Sequence, residues 1–264
     1  MIVIKGAGDL ASGVAVRIAH CGFPIVMTDL SHPTSIRRTV CFSEAILKGE
    51  FTVEDVTAEY AKTVVDIPAI HTRGHIAILA DPKADCIDQL KPDVVVDAIL
   101  AKRNLGTQIT DAPIVIALGP GFTAGVDCHA VIETMRGHDL GRVILKGSAE
   151  PNTGIPGNIS GFTTERVLRA PKDGTFTEIC HIGDLVEKGE NVASVDGEPI
   201  AATISGVIRG LLPTGTPVHT GMKSGDIDPR PIKSHCYTVS DKARAIGGGV
   251  LEAILMLQRR HEHV

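Results

Sequence analysis

The chain reads as an α/β protein that passes into a small all-β module and ends in a helix, and three features of its 264 residues say so. The first is the opening. A short apolar run leads into Gly6-Ala7-Gly8-Asp9-Leu10-Ala11-Ser12-Gly13, then an apolar helical stretch, a second apolar run and Asp29. This is the strand, glycine loop, helix, strand order of a Rossmann-like unit, with Ala11 in the third place of G-x-G-x-x-[G/A]. The second is a set of continuous β-branched runs, at 94–98 and 114–118, as expected of strands buried on both faces of a mostly parallel sheet. The third is a change of texture from about residue 166, where short strand patterns and glycine turns alternate closely.

In chain order, the pattern predicts a strand over 2–4, a helix over 10–20 and a strand over 25–28. A helix is expected over 36–48, with Arg37 and Arg38 near its start. Short strands follow at 64–66 and 75–80, and a short helix at 84–90 stops near Pro92. Past the turn Gly119-Pro120-Gly121-Phe122, strands at 130–133 and 142–145 flank a polar loop, and 152–161 is loop. In the all-β part a hairpin tip falls at Asp196-Gly197-Glu198-Pro199. Ser240 caps a last helix over 241–260, whose acidic start and Arg259-Arg260 end suit the helix dipole. Gly247-Gly248-Gly249 inside it is costly by propensity, so it signals either close packing against another element, the preferred reading, or a break. His261 and His263 fall in a fraying tail. The expected domains are 1–165 (Rossmann-like), 166–235 (β barrel-sandwich) and 236–264 (a helix packed back on the α/β domain).

Composition narrows the function classes. The formal charge is −5, with no basic stripe, and there are six Phe, two Tyr and no Trp. Neither a phosphate-tracking surface nor a base-stacking platform is present, so nucleic acid is not an expected partner. No apolar run reaches the ~18 residues of a spanning helix and no signal peptide opens the chain, so the expectation is a cytoplasmic protein with no membrane partner. The six cysteines form no C-x-x-C pair and read as free thiols.

Two clusters carry candidate chemistry. The glycine loop (Gly6, Gly8, Asp9, Ala11, Gly13), with Asp29 ending the second strand, offers backbone N–H groups and a helix N-terminus to an anion. Asp9 at that helix end repels a pyrophosphate, which weakens the default reading of a bound NAD(P). The bland reading of Asp9 is a helix cap. Arg37 and Arg38 follow the second strand closely enough to meet a phosphate, or else form a solvated helix start. The second cluster is Gly119, Gly121, Cys128, His129, Glu133, Arg136 and His138. It gathers a thiol, imidazoles, a carboxylate and a guanidinium within about twenty residues. Catalysis, ligand binding and a plain structural turn all stay open there. If Cys128 and His129 lie on a strand they point to opposite faces and cannot pair directly. The knot His71-Thr72-Arg73-Gly74-His75 holds too few ligands for a metal, and none is expected.

Two resemblances add to this. The phrases at 182–190 and 200–210 resemble biotinyl/lipoyl-type barrel-sandwich modules, whose repeats read "G-D-x-V-x-x-G" and "A-x-x-x-G-x-V", but the hairpin tip lacks their carrier lysine. Five phrases resemble the accessory proteins of the selenium-dependent molybdenum hydroxylase system, of the YqeB type. They are residues 6–13, 36–45 (Ile36 to Ala45), Gly119-Pro120-Gly121-Phe122, Val131-Ile132-Glu133-Thr134-Met135-Arg136-Gly137-His138 and Gly225-Asp226-Ile227-Asp228-Pro229-Arg230. The resemblance implies a maturation factor for a hydroxylase of the xanthine dehydrogenase type. It would have the hydroxylase apoprotein as partner and a small anionic ligand, a molybdopterin-type cofactor, in its first half. Cys128 would then be the candidate carrier of sulfur or selenium. An NAD(P)-dependent oxidoreductase and a non-catalytic scaffold are the competing readings. Whether the chain is an enzyme, and whether it forms a homo-oligomer, stay open.

Overall fold

A computed structural model describes residues 1–261, and the reading of His263 lies outside them. The chain divides into two units: Met1–Pro33, Cys41–Thr153 and the segment from Val239 form the first, Thr34–Val40 and Gly154–Thr238 the second. Relative to the sequence boundaries at 165/166 and 235/236, the second unit also takes in residues 154–165, 236–238 and the short segment 34–40.

The first unit is built on one sheet. Its strands are β1 (Ile2–Lys5), β2 (Ile25–Asp29), β3 (Glu50–Val53), β4 (Val56–Tyr60), β5 (Ile76–Ala80), β6 (Val94–Asp97), β7 (Ile114–Leu118), β8 (Ala130–Ile132) and β9 (Val143–Ile144). They lie in the order β3-β4-β5-β2-β1-β6-β7-β8-β9. Every residue of β1, β6 and β7 is buried, which is why these segments are apolar runs without polar alternation, broken only by Lys5 and Asp97 at the carboxyl ends of β1 and β6. Strand β1 sits between β2 and β6, parallel to both, with Lys5 in register with Thr28 on one side and Asp97 on the other. The strand order therefore reverses at β1, and the carboxyl ends of β1 and β6 flank the place where open α/β sheets form a crevice.

The helices are α1 (Asp9–Ala19), α2 (Glu44–Lys48), α3 (Ile67–Thr72), α4 (Cys86–Leu90) and α5 (Asp241–His261). Helix α5 runs unbroken through its three glycines and packs on α1, β7, β8 and β9. The reason is close approach. A Cβ on Gly13 would lie 2.5 Å from the Ala243 Cβ, and one on Gly247 would lie 3.2 Å from the Gly13 carbonyl oxygen. A Cβ on Gly249 would collide with the Gly141 carbonyl oxygen. Ser240 caps this helix as expected, its Oγ accepting from Ala243 N at 3.2 Å.

The predicted Rossmann-like sheet with a small barrel-sandwich behind it is corrected by the strand pairing. The nine-stranded sheet is mixed, because β3 pairs antiparallel with β4 at one edge and β9 antiparallel with β8 at the other. The β3–β4 hairpin lies in a stretch that the sequence reading left without strands. Its turn residue Glu54 takes a positive φ of 57° without the Gly or Asn that signals such turns. The expected helix over 36–48 shrinks to a single 3-10 turn at Arg38–Val40 and the five residues of α2. Residues Val64–Asp66 form a 3-10 turn, not a strand.

In the second unit no barrel closes among the described residues. Strands β10 (Val167–Arg169), β11 (Gly174–Glu178), β12 (Leu185–Val186), β13 (Asn191–Val195), β14 (Glu198–Ala201), β15 (Gly206–Leu211), β16 (Pro217–Val218) and β17 (Lys223–Asp228) form two separate antiparallel sheets, β10-β17-β15-β12 and β14-β13-β11-β16. Each sheet ends in a two-residue strand, β12 or β16, too short to carry the ladder onward. Phe176, Val192, Val195, Ile208, Leu211 and Ile227 fill the core. The β13–β14 tip is Asp196-Gly197, both at positive φ, the turn that a two-residue hairpin favours.

Candidate functional site

The glycine loop is clamped from several sides. Gly6 has a φ of 96°, and a Cβ there would lie 3.0 Å from the Ala98 carbonyl oxygen, so β1 can turn under that backbone only with glycine. Ala7 N donates to Asp29 Oδ2 at 2.8 Å and Leu30 N to Asp29 Oδ1 at 2.7 Å. Burial pushes the Asp29 carboxyl above its ordinary pKa, while these two backbone bonds pull the other way. Both oxygens of Asp29 thus fix the loop and the strand end, which is a different task from reaching out to a ribose. Ser12 Oγ donates to the Ala7 carbonyl at 3.1 Å and accepts from Phe42 N at 2.8 Å, and Ser43 N donates to the same carbonyl at 3.1 Å. Ser12 is a working part of the loop that its motif position alone does not announce.

Gly8 is the N-cap of α1, with no side chain to cap the first turn, and Ser12 N donates to the Gly8 carbonyl at 2.8 Å. The first turn thus lacks a side-chain cap at the positive end of the helix dipole. Ala11 and Gly13, also in the motif, are buried, and Gly13 serves the α1–α5 seam.

Charged groups of both signs surround Lys242. Lys242, in the first turn of α5, has its pKa lowered by burial first, then by the like charge of Arg136. Lys102 pushes it the same way, while Asp9 and Glu133 pull it back up. Asp9 and the pair Glu133 and Arg136, more than a hundred residues apart in sequence, therefore share one electrostatic neighbourhood. Arg136 is held by a bidentate pair to Asp241 at 2.7 and 2.9 Å. Glu133, 3% exposed, accepts from Met135 N at 2.7 Å and Glu150 N at 2.8 Å, so it braces the loop that carries Arg136. Lys102 lies in the loop after β6 at a φ of 61°, as does Leu100, a conformation that side chains rarely adopt. The sequence reading missed both lysines, because neither stands in a motif.

At the carboxyl ends of β1 and β6 lies a buried polar triad that the sequence reading also missed. Lys5 Nζ donates to Thr107 Oγ1 at 2.6 Å, Thr107 Oγ1 donates to Asp97 Oδ2 at 2.5 Å, and Lys5 stands 3.9 Å from that same oxygen. All three residues are at most 5% exposed. A lysine closing an apolar strand looks like an edge residue in sequence. Only the β1–β6 register reveals its partner.

Other expectations need correction. Arg37 and Arg38 belong to the second unit and not to the glycine loop. Arg37 donates to the carbonyls of His235 and Thr238 at 3.1 and 3.4 Å, and Arg38 to the Leu211 carbonyl at 2.8 Å and to Glu178. Gly119 and Gly121 are packing glycines, since a Cβ would lie 2.5 Å from Thr134 Oγ1 in one and 2.7 Å from Arg103 N in the other. Cys128 is fully buried in the core, and burial, helped by Asp127, pushes its thiol up to about 12. At neutral pH it is a protonated core thiol, not a thiolate. His129 Nδ1 accepts from Val115 N at 2.9 Å, which assigns the ring to backbone support, and the exposed His138 lies on the loop after Arg136. Among the described residues no group of three or more His, Cys, Asp or Glu is placed to hold a metal, and no helix is long and apolar enough to cross a membrane.

The phrase at 225–230 is structural. Asp226 pairs with Arg166 at 2.8 Å, both under 10% exposed. Asp228, fully buried, pairs with Arg230 at 2.7 Å and Arg209 at 3.3 Å. Burial would raise the Asp228 pKa, but the bonds and charges of these two arginines outweigh it and hold the carboxyl below its usual range.

With the geometry in hand, comparison adds one strong match. The chain is 54% identical over 260 residues to the uncharacterized protein YqeB of Escherichia coli (strain K12), a match covering 98% of this chain and 48% of that protein. The chain is similar to about half of a YqeB-type protein. That degree of identity supports the YqeB-type side of the resemblance, and the name itself carries no molybdenum or selenium chemistry. No family model matches the chain. Among solved structures, an aspartoacylase family protein of Mesorhizobium loti is 13% identical, with 56% of this chain and 61% of that chain covered and a TM-score of 0.25. A succinylglutamate desuccinylase/aspartoacylase of Rhodobacter sphaeroides is 14% identical, with 86% of each chain covered, again at 0.25. Likeness at that level says nothing about activity here.

Proposed function

We propose that this chain is part of a maturation factor for a selenium-dependent molybdenum hydroxylase of the xanthine dehydrogenase type, and that its first unit binds a phosphate-bearing ligand of the molybdopterin class. The observation that carries the ligand reading is the helix end. Gly8 starts α1 without a side-chain cap, in the first unit where Lys102, Arg136 and Lys242 share a charge neighbourhood with Asp9. Phosphate suits such a place, because backbone N–H groups, the helix dipole and ammonium groups all favour an anion. The molybdenum side of the reading rests on the resemblance of the five sequence phrases, and the hydroxylase apoprotein is the partner it names. The chain spans about half the length of the curated relative it matches, so the activity of a whole protein of that kind belongs to this proposal as well.

Native mass spectrometry of the protein purified from a host competent in molybdopterin synthesis tests the reading. A co-purifying pterin is expected, with loss of the adduct in Lys242→Met. Retention should fall as pH rises through the lowered pKa of Lys242, because the neutral amine no longer attracts the phosphate. A bound dinucleotide in place of the pterin would replace this reading with an NAD(P)-dependent oxidoreductase. Absence of any ligand would leave a scaffold.

A further inference from the structure

Helix α5 buries one side, with Ala243, Ile246, Val250, Ala253, Ile254 and Leu257 at 5% exposure or less. Another side stays open: Gly248, Leu251, Glu252, Leu255, Met256 and Arg259 line a concavity of about 580 Å³. Leu255 is 49% exposed. The six positions recur at i, i+3, i+4, i+7, i+8 and i+11, one continuous stripe on a helix. Its charges are placed unusually. Glu252 and Arg259 have no ion-pair partner among the described residues. Seven positions separate them, about 10.5 Å of helix rise, so they cannot pair with each other.

We infer that this stripe pairs with a second copy of the chain, α5 against α5, antiparallel about a two-fold axis between Leu255 and Met256. That axis sets Glu252 of each copy level with Arg259 of the other, and Leu255 level with Met256. One operation thus supplies both charges with a partner and covers the exposed leucine twice. A parallel pair would set Glu252 against Glu252 and Arg259 against Arg259, so the charge pattern selects the antiparallel arrangement. A single helix pair falls below the ~1,200 Å² of a standard stable interface, so the dimer should be weak, with a dissociation constant on the order of micromolar.

Sedimentation velocity of the full chain over roughly 1–200 μM reads this directly, the range bracketing micromolar affinity. The wild type should shift from one chain mass toward two as concentration rises. Leu255→Glu should hold it at one. Glu252→Arg and Arg259→Glu should each weaken association about tenfold, and the double swap Glu252→Arg/Arg259→Glu should recover most of that loss. Both charge positions are exposed, so these variants keep the fold, which a thermal melt verifies. A wild type that stays at one chain mass throughout overturns the inference. So does a dimer that persists in Leu255→Glu, or a double swap no better than the single ones.

Discussion

Two adjacent glycines in α5 should respond to the same substitution with opposite signs. Gly248→Ala places a Cβ 3.3 Å from Arg17 Nη2, the far end of a flexible side chain, and near nothing else that is rigid. The helix propensity gain of about 1 kcal/mol then prevails, and the variant should be stabilised by roughly 0.5–1 kcal/mol. Gly249→Ala meets a different surface. Its Cβ would overlap the Gly141 carbonyl oxygen, with the carbonyl carbon and Ile132 Cγ2 both at 3.0 Å. Gly141 cannot simply retreat, because a Cβ drawn on it would itself lie 2.6 Å from the Ala245 carbonyl oxygen, which shows how closely the loop is seated on the helix. Overpacking of this kind costs about 1–3 kcal/mol or more, enough to exceed the same propensity gain, so the net change should be destabilising by ~1 kcal/mol or more. Urea unfolding of both variants, with the denaturant slope unchanged, measures the difference. The seam would be wrongly described if both variants moved in the same direction. Because Gly141 closes the loop that carries Arg136, Gly249→Ala should also weaken any ligand held by the Arg136–Asp241 pair, and Gly248→Ala should not.

The buried triad predicts strong non-additivity. Lys5→Met or Asp97→Leu alone should cost about 3–5 kcal/mol by leaving the other charge without its counterpart, whereas Lys5→Met/Asp97→Leu should be markedly less harmful than the sum, as denaturation of the four-member cycle will reveal. For the thiols, brief alkylation of the native protein at pH 8 should label the exposed Cys21 and the partly exposed Cys180, while Cys128 stays unmodified until the chain unfolds. Rapid labelling of Cys128 in the native state would restore the carrier role that its burial argues against.

Legibility in the sequence follows burial and turn chemistry. Strands β1, β2, β6 and β7 are visible because a strand covered on both faces is apolar along nearly all its length, and helix α5 because its cap, charge pattern and length agree. The β3–β4 hairpin is hidden because Glu54 adopts a turn conformation that its type does not advertise. The glycine loop is legible as a loop, yet Asp29 shows how position can mislead: the carboxylate stands where a ribose contact is expected and instead accepts the Ala7 amide. Arg37 and Arg38 follow β2 in sequence, but their guanidinium groups find carbonyl partners around 211 and 235–238, contacts that no local pattern encodes. Neither Lys5 with Asp97 nor Lys102 with Lys242 could be grouped from sequence, since strand register joins the first pair and the return of a helix from the other end of the described chain joins the second.

That return also fixes an order of events. The first unit is interrupted, its sheet and α1 being made early and α5 only after the whole second unit has been synthesised. Until then the α1 surface around Gly13 faces no Ala243, and β7 to β9 have no helix over them. The second unit, nearly continuous in sequence, can complete itself while the first waits, partly covered, for residues 241–261. Pairings this distant along a chain are slow to form, and the waiting state exposes apolar strand faces. A nascent chain of this design is therefore most vulnerable to aggregation in the interval just before α5 emerges, and a stall at that stage would yield a molecule with one finished unit and one open sheet.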